Sequence, residues 1–225
     1  MPTVDFITYC CPKDIHKTYA GWDRLVQSHN YAFHEVILIR QRCKDIDAGT
    51  LDPSVRILET EDYPDILGEF GIDENDQDAE RASPYNTKFY WKWNTMNPLI
   101  GLKESNAEYI MFTDCDNWLE WYGSANDWIE RGVSILQSKP EVIMICPNQW
   151  DGQRENMITK DVSQCMFLCN KQRFRELDYN VPNPVRVELG GYHYIFEGRV
   201  WRYVQNNPVW RMFLMKPPIL RHQAW

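Results

Sequence analysis

EYIMFTDCDN, residues 108–117, is the most informative stretch of the chain. Its apolar and aromatic run at 109–112 predicts a short buried strand, because buried parallel strands are continuous apolar runs. The run is followed by Asp114 and Asp116. Side chains alternate along an extended chain, so both carboxylates should point to the same side. Two such oxygen ligands suit Mg²⁺ or Mn²⁺. A solvated turn or a helix N-cap is the alternative for an acidic pair of this kind.

Apolar periodicity on either side of this stretch predicts an α/β protein. Ligands of such open sheets bind at the carboxyl ends of the strands, where the two aspartates lie.

Asp127 is a plausible N-cap of one helix, and Pro98 could kink another. The acidic segment 61–84 is either a functional connection or a solvated loop, with a short helix near 66–70. Strands are predicted at 4–10, 34–39, 55–59, 142–146, 164–168 and 210–215, and helices at 14–28, 86–105, 127–138, 170–176 and 199–205.

The composition limits the classes of protein to which the chain can belong. The 225 residues suffice for one sizeable core. No apolar run approaches the roughly twenty residues of a transmembrane helix, and the N-terminus lacks the pattern of a signal peptide. The seven scattered cysteines fit reduced thiols, so we expect a cytoplasmic protein. A net charge of −8 without basic stripes disfavours a nucleic-acid partner. The ten Trp and twelve Tyr include flat faces that can stack on sugar rings.

Three segments carry a resemblance to a known family. They are Thr8-Tyr9-Cys10-Cys11-Pro12; Lys92-Trp93-Asn94 with the later Ala107-Glu108-Tyr109-Ile110-Met111-Phe112-Thr113-Asp114-Cys115-Asp116; and Phe196-Glu197-Gly198-Arg199-Val200-Trp201-Arg202. In type and order these segments resemble a glycosyltransferase of the GT-A fold, similar to the large family 2. The resemblance spans about residues 3–222. It implies a Rossmann-like, mostly parallel central sheet flanked by helices in a single domain, 1–225, with a nucleotide-binding part at about 1–117 and an acceptor side at about 118–225.

The same resemblance implies a function. It is the transfer of a sugar from a nucleotide-diphosphate sugar, UDP-linked rather than GDP-linked by preference, to a hydroxyl of a glycan or glycoconjugate. Asp116 would bind Mn²⁺ or Mg²⁺, and Asp114 would contact the ribose or the metal. His222 would complete the metal site, as a histidine near the C-terminus often does in GT-A enzymes. Imidazole suits Mn²⁺ better than Mg²⁺. A surface histidine is the alternative.

Donor contacts are implied for the opening strand and for basic residues. Thr8, Tyr9 and Cys10 would lie against the nucleotide base, and Cys115 lies between the two aspartates. The second strand ends in Arg40-Gln41-Arg42, where family 2 usually has acidic residues, so Arg40 is a candidate for binding phosphate. Lys88 and Lys92, four residues apart on one helix face, are further candidates. Solvated helix faces carry lysines as well.

A general base is needed if the reaction inverts the anomeric centre. Glu197 is the first candidate, since it stands where the family keeps an acidic residue, and Glu188 and Asp151 are the next. Gly198 follows Glu197 where the family has a second acid, so a retaining reaction, which needs no such base, stays open. A non-catalytic carbohydrate-binding protein on the same scaffold is the alternative function. A nucleotidyltransferase is disfavoured, because the loop after the first strand has no glycine.

Overall fold

The computed structural model describes residues 2–75, 90–120, 127–148, 157–159, 165–181, 195–207 and 211–222. For residues 90, 120, 148, 157–159 and 211–222 it describes the backbone alone. The strands are β1 Val4–Cys10, β2 Val36–Arg40, β3 Val55–Glu59, β4 Tyr109–Asp114, β5 Asn117–Glu120, β6 Val142–Asn148, β7 Met157–Thr159, β8 Met166–Asn170 and β9 Arg211–His222. The helices are α1 Ile15–Ala20, α2 Trp22–Gln27, α3 Ile66–Glu69, α4 Tyr90–Glu104, α5 Trp128–Ser138, α6 Lys171–Arg175 and α7 Phe196–Asn206.

The described strands form a single sheet in the order β3-β2-β1-β4-β8-β6-β9-β5, with β7 paired to β9. Six of them, β1, β2, β3, β4, β6 and β9, run in one direction, and β5, β7 and β8 run against them. The predicted α/β fold with a mostly parallel sheet is therefore confirmed. The antiparallel β8 lies between β4 and β6, directly beside the strand that ends in Asp114.

Apolar side chains cover both faces of the sheet, as expected for parallel strands. One layer packs the sheet against α3, α4, α6 and α7, with Trp91 and Phe196 buried in it. The other packs it against α1, α2 and α5, with Trp22 and Trp128 buried in it. Among the helices that the structure describes, none is long and apolar enough to cross a membrane.

The helix predicted at 14–28 is two helices, because α1 ends and α2 begins at Gly21. A Cβ at this glycine would lie 3.2 Å from the carbonyl oxygen of Lys17, so the position favours a residue without a side chain. Asp127 stands at the N-cap position of α5 but makes no capping hydrogen bond. Its carboxylate instead faces Arg131 one turn later, at 3.3 Å.

The C-terminal strand is longer than its sequence pattern indicated. It was expected at 210–215, and β9 extends to His222 through Pro217 and Pro218. Its pairing with β6 jumps from Met215 to Ile219, so the two prolines, which cannot donate backbone hydrogen bonds, fall within the irregularity. The short strands β5 and β7 were not predicted, because neither has an apolar run that distinguishes it from a loop.

Asp5 ties the beginning of β1 to the beginning of β4. Its side chain is fully buried, and Oδ2 accepts hydrogen bonds from the Ser105 hydroxyl at 2.7 Å and from the backbone N–H groups of Asn106 and Ala107, both at 3.1 Å. Nδ1 of His34 lies 2.9 Å from Oδ1. Because a buried carboxylate is tolerated only when it is hydrogen-bonded in this way, these contacts fix where the two strands meet.

Asp5→Asn should destabilise the fold strongly, since an amide nitrogen would replace an oxygen that accepts hydrogen bonds. We expect a loss of about 3 kcal/mol in the free energy of unfolding and a fall in Tm of about 10 °C. Urea denaturation followed by circular dichroism measures the change. Asp45→Asn, at an exposed position, is the matched control and should be neutral. Equal stability of the two variants would contradict the role assigned to Asp5.

Candidate functional site

The acidic pair lies at the carboxyl edge of the sheet. Asp114 is the last residue of β4, and Cys115 and Asp116 form the turn into β5. All three residues are partly exposed as a whole, but one carboxyl oxygen of Asp114, Oδ1, is buried. In the parallel pairing of β1 with β4, Tyr9 is opposite Asp114. Open α/β sheets bind ligands at this edge, so the position of the pair agrees with the sequence prediction.

A row of stacked aromatic rings runs beneath this edge. Tyr9 stacks on Phe112 with ring centroids 5.9 Å apart, Phe112 on Phe167 at 5.3 Å, and Phe167 on Phe196 at 6.0 Å. The row crosses β1, β4 and β8 and ends at the first residue of α7. Offset stacks of this kind add to the apolar burial and hold the rings in fixed relative positions. The row therefore sets the distance between the turn and Glu197, the next residue of α7.

The carboxyl group of Asp114 has a strongly shifted pKa. Burial raises the pKa of its carboxyl well above the usual range, and the nearby charges of Asp116 and Glu197 raise it further. Hydrogen bonds from Tyr9 and Cys165 act in the opposite direction but do not outweigh these effects. Oδ1 of Asp114 is buried and has no hydrogen-bond partner among the described residues. Three carboxylates thus converge, one of them with an unsatisfied oxygen, as expected of a site for a cation or another positive group.

Glu197 lies in the first turn of α7, where the helix dipole favours a negative charge. It is partly exposed, and its negative charge contributes to the raised pKa of Asp114. Two residues on, Arg199 is buried with its guanidinium 5.5 Å from the ring centre of Trp91 in α4. Lys92 lies over the same indole at 5.8 Å. The first turns of α4 and α7 therefore meet, with Lys92 and Arg199 both close to the ring of Trp91.

The backbone of His222 lies beside the residue that follows the acidic pair. In the antiparallel pairing of β5 with β9, it is opposite Asn117, the residue that follows Asp116. The described side chains contain no group of three or more His, Cys, Asp or Glu residues that could hold a metal ion, and the side chain of residue 222 is not among them. The two aspartates, with the buried unsatisfied oxygen of Asp114, fit the hard ligands that Mg²⁺ and Mn²⁺ take.

Several predicted donor contacts have other partners in the structure. Arg40 pairs with Glu59 and also donates to the Tyr19 hydroxyl at 3.4 Å. Thr8 and Cys10 are fully buried, so neither side chain reaches the surface of the edge. Beside them, the buried thiol of Cys43 donates to the carbonyl oxygen of Gln41 at 3.1 Å and approaches that of Cys10 at 4.0 Å.

Cys115 faces Thr18 of α1 and packs in the layer that contains α1, α2 and α5. Its side chain is thus on the α1 side of the turn, while Asp114 interacts with Glu197 of α7. Lys88, Asp151 and Glu188, the remaining predicted site residues, lie outside the described part of the chain.

Cys165 holds the acidic turn in place, and sequence reasoning missed it. Its carbonyl oxygen accepts hydrogen bonds from the backbone N–H of Asp114 at 2.9 Å, the Thr113 hydroxyl at 3.2 Å and the Asn117 amide at 3.2 Å. The interaction uses the backbone and depends on β8 inserting beside β4. Neither feature leaves a signature in residue types, so the sequence carried no signal for it.

Comparison with known proteins agrees with the fold. No model of a known protein family matches the chain, and no curated protein sequence matches it significantly. A solved mycobacterial protein is similar with a TM-score of 0.50 and 12% identity, over 100% of this chain and 68% of that one. Glucosyl-3-phosphoglycerate synthase from Mycobacterium tuberculosis, solved with Mn²⁺, UDP and phosphoglyceric acid, is similar with a TM-score of 0.49 and 11% identity, over 100% of this chain and 72% of that one. The first of these similarities shows the fold alone, and it agrees with the α/β fold with a mostly parallel central sheet that the topology confirms.

Asp114→Asn should stabilise the protein in the absence of metal. A carboxyl whose pKa is raised in the folded state destabilises the fold whenever it is charged, that is, at pH values above its unfolded pKa. A neutral amide removes this effect, so at pH 8 in a chelator we expect Tm to rise by about 2–4 °C, corresponding to about 1 kcal/mol. Scanning calorimetry gives the value, with the exposed Asp65→Asn as control. A fall in Tm would show that the hydrogen bonds to the carboxylate outweigh the repulsion.

Proposed function

We propose that this chain is a glycosyltransferase that moves a sugar from a nucleotide-diphosphate sugar to a hydroxyl group of a carbohydrate or glycoconjugate. The observation that carries the proposal is the convergence of Asp114, Asp116 and Glu197 at the carboxyl edge of β4, with a raised pKa and an unsatisfied oxygen on Asp114. A UDP-sugar is the favoured donor and a GDP-sugar the second. The nucleotide would bind to the part at 1–117, and the acceptor to the part at 118–225.

Asp114 and Asp116, with His222 on the neighbouring strand, are the residues that would hold a divalent cation. Bound there, Mn²⁺ or Mg²⁺ supplies positive charge that offsets the negative charge developing on the leaving diphosphate. We assign the diphosphate to Lys92, a cationic side chain that lies where the first turns of α4 and α7 meet. Arg40 is left out of this assignment, because Glu59 binds its guanidinium. The ring of Tyr9, opposite Asp114, is the contact that we assign to the nucleoside.

Glu197 is the general base of the proposed reaction. Its carboxylate takes the proton of the acceptor hydroxyl, the acceptor oxygen forms a bond to the anomeric carbon, and the bond from that carbon to the diphosphate oxygen breaks with its electron pair. The nucleoside diphosphate leaves, and the anomeric configuration is inverted. The position of Glu197 supports this role. It lies on α7, apart from the turn that carries the aspartates, yet close enough for its charge to raise the pKa of Asp114.

The donor can be identified by hydrolysis of a panel of UDP-, GDP- and dTDP-sugars, with Mn²⁺ or with a chelator. We expect slow, metal-dependent release of one nucleotide by the wild type. Asp116→Ala should abolish the release, while Asp73→Ala, at an exposed position, should keep it. If no donor is cleaved and none shifts Tm in the presence of Mn²⁺, the proposal fails. Binding of a glycan without metal or nucleotide would then support the carbohydrate-binding alternative.

Glu197→Gln tests the general base once the donor and the acceptor are known. Replacing the base with an isosteric amide should lower kcat by about 10²–10⁴-fold and leave the KM for the donor within a few-fold of wild type. Steady-state assays of transfer give both parameters, and Glu74→Gln at an exposed position is the matched control. A kcat within threefold of wild type would exclude Glu197 as base and return the assignment to Glu188, Asp151 or a retaining reaction.

A further inference from the structure

A pocket of about 420 Å³ lies on the α1 side of the acidic turn. Its walls are the helices α1 and α2 on one side and the residues Cys115, Asn117 and Trp118 on the other. The volume is in the range that accommodates a small molecule. The carboxylate of Asp114 interacts with Glu197 of α7, whereas Cys115, which lines this pocket, faces Thr18 of α1 and packs in the layer that contains α1 and α2. The pocket is therefore separate from the proposed donor site, although both share the turn.

Two cations stand on the helical wall of this pocket. Lys17 of α1 and Arg24 of α2 both have exposed side chains that line it. The guanidinium of Arg24 lies over the ring of Trp118, 4.1 Å from its centroid, so the stack holds the arginine against the opposite wall. An arginine fixed in this way is well suited to bind phosphate or carboxylate through two parallel hydrogen bonds. The charge of the helical wall thus favours an anion.

Two residues of the facing wall each carry a buried polar atom without a hydrogen-bond partner among the described residues, which indicates a second property of the ligand. Asn117 is only 1% exposed and donates from Nδ2 to the carbonyl oxygen of Cys165 at 3.2 Å. Its Oδ1 is buried and accepts no hydrogen bond from the described residues, and Nε1 of Trp118 is likewise buried with none. Buried polar atoms are nearly always hydrogen-bonded. A ligand that offers a hydroxyl to Asn117 and an oxygen to Trp118 would satisfy both.

We propose that this pocket binds a small hydroxylated anion, the phosphate monoester or the carboxylate of a sugar or polyol. Lys17 and Arg24 bind the anionic group, and Asn117 and Trp118 bind the hydroxylated part. Because Asn117 directly follows Asp116, a bound ligand also holds the turn that carries the aspartates. The inference does not rest on the proposed transferase activity, since the pocket needs neither a nucleotide nor a metal.

Calorimetric titration of the full chain, in a chelator and without nucleotide, tests the proposal. The probes are glucose 6-phosphate, gluconate, glucose and inorganic phosphate. We expect saturable binding of glucose 6-phosphate or gluconate, with the stronger of the two identifying the anionic group, and much weaker binding of glucose and inorganic phosphate. Arg24→Gln, which keeps a planar side chain and removes the charge, should weaken binding at least tenfold. Trp118→Phe, which keeps a ring and removes the donor, should weaken it several-fold.

Lys44→Gln, at an exposed lysine that pairs with Asp62 away from the pocket, is the control and should bind as the wild type does. Circular dichroism and Tm show whether each variant is folded. Three results would overturn the proposal: no binding of either hydroxylated anion, binding unchanged in Arg24→Gln, or inorganic phosphate bound as tightly as the hydroxylated anions. Competition by UDP without metal would also overturn it, because the pocket would then belong to the donor site. A failure of donor hydrolysis leaves these results interpretable, so the two proposals fail independently.

Discussion

The buried carboxylate of Asp5 is the interaction on which the arrangement of the site depends. This residue of the first strand accepts hydrogen bonds from backbone groups about a hundred positions away in the chain. A parallel pair of strands can slip by one residue, and such a slip moves every side chain to the opposite face. Because Oδ2 of Asp5 accepts hydrogen bonds only from the segment directly before β4, it selects one register.

That register also fixes which residues are opposite each other at the carboxyl ends of β1 and β4. It places Tyr9 opposite Asp114, and the ring of Tyr9 begins the aromatic row that ends at Phe196. Glu197 follows Phe196 in the chain, so its distance from Asp114 is set by packing across three strands and not by any local motif. The geometry of the three carboxylates is therefore a property of the core. Core substitutions at Phe112 or Phe167 would move the carboxylates relative to one another without touching them.

The sequence predicted what local pattern can encode. The apolar run of β4 is a strong signal, and the acidic residues that end it are visible in the same ten residues. The break at Gly21 was not predicted, although the close approach of the Lys17 carbonyl that favours glycine there is local, four residues back in the chain. The length of β9 could not be predicted, because it depends on pairing with strands that are distant in sequence. Arg40 illustrates the same limit. Its position at the end of β2 was predicted, but its pairing with Glu59 depends on β3 lying beside β2.

The charges of the site work against the stability of the fold. A carboxyl at Asp114 that is buried, repelled by two other acids and only partly hydrogen-bonded is less stable charged than it would be in water. A protein selected for stability alone would have a neutral residue at this position. Strain of this kind persists where it prepares a site for a positive partner. The turn is held by other means: the carbonyl oxygen of Cys165 accepts hydrogen bonds from it, and Cys115 packs against the layer that contains α1 and α2. Uncharged neighbours thus help to position the acidic pair, while Oδ1 of Asp114 has no hydrogen-bond partner among the described residues.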